Sequence, residues 1–86
     1  DMGYPQWSDL GMFLQTFMLL AQESGLGTCA QESWSMKQNC VSSFLKTSQK
    51  DILFCGMAIG YVDKENPVND LKTSRRPLDE WAHFVD

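Results

Sequence analysis

Between Trp7 and Ala21 the chain places apolar residues where a helix would turn toward a core, and also where it would turn away. Leu10, Phe13, Leu14, Phe17, Met18 and Ala21 recur at helical steps and form one stripe. Met12, Leu19 and Leu20 widen that stripe beyond a single face. The spacing predicts a helix that begins at Trp7 or Ser8, with Asp9 in its first turn, where a carboxylate meets the positive end of the helix dipole. Residues 1–6 read as a lead-in, with Pro5 fixing an extended approach. Gly25 is the left-handed stop, and Leu26 is placed to fold back on the last turn. A helix apolar on most sides is buried on most sides. A domain of 86 residues removes only about 60% of its unfolded surface from water, so it cannot cover such a helix unaided.

Nothing else in the composition supplies a staple. The three cysteines, Cys29, Cys40 and Cys55, are odd in number and widely spaced, which fits a reducing compartment and buried cysteines acting as small apolar residues. With His83 they would make a Cys3His set, but the close ligand pairs of structural zinc are missing, so no metal site is expected. The chain opens at Asp1 and not at a methionine, so a processed piece or a fragment is expected. The net charge of −4 argues against nucleic acid as a partner. The longest apolar runs, 10–21 and 52–62, fall short of the roughly 20 residues of a membrane-spanning helix. The amino terminus lacks the basic start and apolar block of a signal peptide. These readings together place the chain in the cytoplasm, away from membranes.

Beyond Gly25 the pattern changes. Residues 28–31 read as a short strand, and Ser35-Met36-Lys37-Gln38 as the capping box of a second helix reaching about Thr47, with Met36, Cys40, Val41, Phe44 and Leu45 on its apolar stripe. After Asp51 comes an apolar run to Val62, rich in strand formers, which predicts a central strand covered on both faces. Residues 63–77 are polar and without period, the signature of a functional or disordered loop. The segment 77–80 predicts a helical turn, and 81–85 a last strand whose Trp81 and Phe84 need an apolar surface. Phe13, Phe17, Trp34, Tyr61 and Trp81 are expected in the core, with Trp34 placed to border a pocket.

Two features could carry chemistry. One is Ala30-Gln31-Glu32-Ser33, where a strand runs out into a loop and can present main-chain N–H groups to a planar ligand; the alternative is an ordinary strand-to-helix connection capped by Ser33 or Ser35. The other is the group Lys72, Arg75 and Arg76, three of the seven basic residues of a chain that has none before Lys37. It is either an anion grip or a solvated cluster beside Asp70, Asp79 and Glu80.

Four blocks in order, Trp7-Ser8-Asp9-Leu10-Gly11, Gly25-Leu26-Gly27-Thr28-Cys29, Ala58-Ile59-Gly60-Tyr61 and Arg75-Arg76-Pro77-Leu78-Asp79-Glu80, resemble the carboxy-terminal part of the nitroreductase family of FMN-dependent oxidoreductases. The resemblance spans nearly the whole chain and makes residues 1–86 the carboxy-terminal part of a single nitroreductase-like domain. It implies an α+β fold in which this partial chain supplies two helices, a central strand and a carboxy-terminal strand exchanged in a homodimer, with FMN at each subunit interface. It further implies transfer of reducing equivalents from NAD(P)H to nitroaromatic, quinone or related acceptors, with the fragment alone inactive. Carried over residue by residue, Glu32 and Ser33, with Gln31 adjacent, place main-chain donors at the flavin N5 and O4. Ala30 and Ser33 depart from the Pro and Gly of many relatives. Arg75 matches the arginine that grips the FMN phosphate. The companion lysine falls in strict register on Thr73, so Lys72 takes that role only if the loop adjusts. No side chain here is expected to be an essential acid or base. The competing class is a small non-catalytic dimerisation module without flavin.

Overall fold

The structure is a computed structural model and describes residues 3–86. Helix α1 spans Pro5–Glu23. It begins earlier than its apolar stripe, because Pro5 occupies the first turn, where its missing N–H has no intrahelical acceptor to lose. Pro5 is therefore the helix start and not part of an extended lead-in, and Asp9 lies beyond the first turn. At the other end Gly25 is left-handed at φ +82°. Gly25 N–H donates to Gln22 O and Leu26 N–H to Ala21 O, both at 2.9 Å. This pair of bonds is a Schellman closure, and it turns the chain into strand β1, Gly27–Gln31.

A six-residue 3-10 helix, Glu32–Lys37, follows β1 directly and leads into helix α2, Gln38–Leu45. The expected capping box does not form. Ser35 lies inside the 3-10 helix, and the α2 cap position falls on Lys37, which makes no side-chain cap bond. α2 closes at Lys46, a left-handed residue at φ 56°, and Ser42 Oγ lies 2.7 Å from Thr47 Oγ1 beneath it.

Strand β2, Gly56–Gly60, pairs antiparallel with β1 in a register that sets Gly27 opposite Gly60 and Gln31 opposite Gly56. The expected central strand is thus shorter than its apolar run, and β1 is its neighbour among the described residues. A second correction concerns residues 81–85, which form no strand here. Short 3-10 turns at Pro67–Asp70 and Leu78–Glu80 punctuate the polar loop, the second where a helical turn was expected. Among the described residues no helix is long and apolar enough to cross a membrane.

α1 lies against β1, with Leu10, Leu14, Met18 and Ala21 on its less exposed face and Trp7 meeting Phe54 at a ring separation of 5.7 Å. Ala21 is the one buried apolar residue among those described. Phe13, Trp34, Tyr61 and Trp81 stay substantially exposed, as do Cys29 and Cys40, contrary to the core expected for them. The reason is geometric. A two-stranded sheet with a helix on it makes a single layer pair, and the outer faces of α1, α2 and β2 meet nothing among the described residues.

Candidate functional site

The end of β1 is where backbone donors come free. A 3-10 helix bonds each N–H to the carbonyl three residues back, so the amides of Glu32 and Ser33 have no intrahelical acceptor. A cap side chain would normally take one of them, but the cap residue Gln31 makes no such bond. Its Oε1 accepts instead from the indole Nε1 of Trp34 at 2.8 Å. Gln31, Glu32 and Ser33 are all solvent-exposed residues.

Beside this turn lies an open groove of about 550 Å3 between α2 and β2. Gln31 and Trp34 line its edge, and Val41, Phe44, Leu53 and Met57 its walls. Trp34 sits against Gly56, the register partner of Gln31. A Cβ at Gly56 would fall 2.5 Å from Trp34 Cδ1 and 2.9 Å from Cγ, so no side chain fits there. The sequence carried a signal for this position that the reading above left unused: an isolated glycine at the head of a strand often marks close approach of another group.

The basic group sits elsewhere in the chain. Arg75 folds back on its own loop, its Nη1 donating to Thr73 Oγ1 at 2.6 Å and to Ser74 O at 3.1 Å. Arg76 pairs with Glu80 at 3.6 Å, both side chains well exposed. Lys72 is exposed and has no ion pair among the described residues. Within this single chain no hydrogen bond among the described residues joins the basic loop to the 31–33 turn. Gln31, Glu32 and Ser33 are neighbours in one turn, and Lys72 and Arg75 lie in a separate loop. Among the described residues no three His, Cys, Asp or Glu side chains gather as a metal site would require.

Comparison with known proteins gives this geometry a context. The model of the Nitroreductase family matches residues 5–61. A 4-nitrobenzoate reductase of Pseudomonas putida is 39% identical over 92% of this chain and 35% of its own length. A nitrobenzene nitroreductase of Ectopseudomonas oleovorans is 36% identical over 87% of this chain and 33% of its own. Among solved structures, the FMN and NADPH-dependent nitroreductase NfnB from Sphigopyxis sp. strain HMH superposes with a TM-score of 0.94 at 46% identity, covering 99% of this chain and 38% of that one. The FMN-dependent nitroreductase NfnB from Mycobacterium smegmatis, solved in complex with NADPH, superposes with a TM-score of 0.85 at 28% identity, over 92% of this chain and 35% of that one. The chain thus spans about a third of the length of the relatives it matches. Its α+β arrangement is theirs.

Proposed function

We propose that this chain, which belongs to the nitroreductase family, is the carboxy-terminal part of one FMN-dependent domain that passes reducing equivalents from a nicotinamide donor to a nitroaromatic acceptor. Quinones are further candidate acceptors, and the cytoplasm, consistent with three unpaired cysteines, is the proposed location. The observation that carries the reading is the turn at 31–33. Two adjacent main-chain donors are left without a side-chain cap, and they directly follow Gln31, which lines an apolar groove. That donor set fits the polar edge of a flavin ring.

When bound, FMN supplies the two-electron chemistry, taking hydride from the nicotinamide and yielding reducing equivalents to the acceptor. The residues of this chain position and tune. The Glu32 and Ser33 amides would hold the N5–O4 edge of the ring, supplying backbone dipoles that need no reorganisation. Gln31 stands beside them. Arg75 is suited to the phosphate because a guanidinium can grip it with two parallel bonds, and Lys72 can add a second positive charge. The exposed Arg75 guanidinium now rests on Thr73 and Ser74, contacts that a phosphate can replace at little cost.

We place the cofactor at an interface of a homodimer, within reach of both the turn and the basic loop. The apolar outer face of α1 supports this: Met12, Phe13, Leu19 and Leu20 are each more than half exposed. The test is flavin retention. The purified protein is expected to be yellow, and Arg75→Ala to weaken FMN binding by about tenfold to a hundredfold, the value of a hydrogen-bonded charge pair. A colourless dimer that takes up no added FMN would overturn the reading in favour of an interaction module.

A further inference from the structure

We infer that Trp34 is a positioning residue for the 31–33 turn, holding through Gln31 and Gly56 the direction in which the Glu32 and Ser33 amides point; the inference rests on the flavin reading above. Three observations meet at this side chain. Its indole N–H donates to Gln31 Oε1 at 2.8 Å, which closes a bridge across the two residues whose amides are free. The same bond occupies the oxygen that would otherwise be the nearest cap for those amides, so it keeps them available. The ring then seats on Gly56, where any Cβ would overlap it, and Gly56 stands opposite Gln31 in the ladder. The turn is thereby tied to both strands at the end of the sheet.

Trp34 is 47% exposed and lines the groove, so its ring borders the space beside the turn. A donor aimed at a reacting atom tolerates little error, since a displacement near 1 Å costs on the order of a hundredfold in rate. A rigid two-torsion side chain bonded at one end and wedged at the other suits that demand.

The experiment uses the flavin-loaded protein with Trp34→Phe, Gln31→Leu and the double variant, and reads FMN affinity, flavin midpoint potential and the kcat and KM for the nicotinamide donor. Trp34→Phe keeps a ring on Gly56 and removes only the N–H. The expected result is FMN affinity within about threefold of wild type, kcat lowered by about tenfold with KM little changed, and a more negative midpoint potential. The double variant is expected to be no slower than either single change, because both break one bond. A yellow Trp34→Phe protein with wild-type kcat and potential overturns the inference and leaves the flavin reading standing, as do single-variant losses that multiply in the double. A wild-type protein that binds no FMN overturns the flavin reading itself and this inference with it. Should Trp34→Phe fail to fold, Gln31→Leu decides alone, since it leaves the ring in place.

Discussion

Gln38 does with its side chain what a neighbouring strand would do with its backbone. Its Nε2 donates to Asp51 O at 3.1 Å and its Oε1 accepts from Leu53 N–H, so one amide group satisfies a donor and an acceptor of the segment that leads to β2. The same Nε2 lies 3.3 Å from Ser42 Oγ on the next turn of α2. Replacing Gln38 by Ala leaves those backbone groups unpaired beside an apolar groove. The expected loss is about 1–3 kcal/mol, read as a lower urea midpoint of the flavin-loaded protein at unchanged m-value. Contacts of this kind are hidden in a sequence, because Gln38 and Leu53 are distant in the chain and neither residue type demands the other. Gly56 was closer to legible: only the ring that covers it was missing, and a ring was available at Trp34. Arg75 and Arg76, adjacent and chemically alike, separate once their partners are known. Arg76 spends its charge on an exposed pair with Glu80, worth at most about 1 kcal/mol, while Arg75 holds only its own loop.

Elements fared better where they were governed by local chemistry. The end of α1 follows from Gly25 and Leu26 alone, because a left-handed residue and the two bonds it permits are a property of a short segment. Gly25→Ala meets no atom, since nothing lies within 4 Å of the added Cβ, so its effect isolates the backbone term. It is expected to cost about 1 kcal/mol, measured by thermal or urea unfolding. The start of α2 went astray because two local signals competed: Ser35 and Gln38 have capping-box spacing, yet the chain leaving β1 enters a 3-10 helix at Glu32 that carries Ser35 inside it. β2 was over-extended for the opposite reason. An apolar run predicts burial, but the ladder that makes a strand needs neighbours, and among the described residues the run finds only β1. The absence of a strand at 81–85 has the same cause, since Trp81, Phe84 and Val85 find no sheet edge to join among the described residues.

At the scale of the whole molecule the surface is too large for a self-contained domain. The chain exposes 8339 Å2, whereas a folded monomer of this mass exposes about 5,200 Å2. Its radius of gyration is 17.0 Å against about 12 Å for a compact chain of this length. The excess is of the size buried in obligate interfaces. The over-wide apolar helix in the sequence announced this, and the chain spans about a third of the length of the relatives it matches. On the proposed dimer, Leu20→Glu sets a charge in the middle of the outer face of α1. It is expected to shift the protein to monomers in sedimentation analysis and to release FMN together with the partner. Monomers that keep their flavin would separate cofactor binding from assembly.

On the proposed function, the amides of Glu32 and Ser33 and the guanidinium of Arg75 hold one FMN only in a two-chain assembly. Native mass spectrometry of the purified protein tests it in one measurement. The account predicts a species of two chains carrying two FMN, with flavin lost in step with dissociation; a flavin-loaded monomer, or a dimer that carries none, would contradict it.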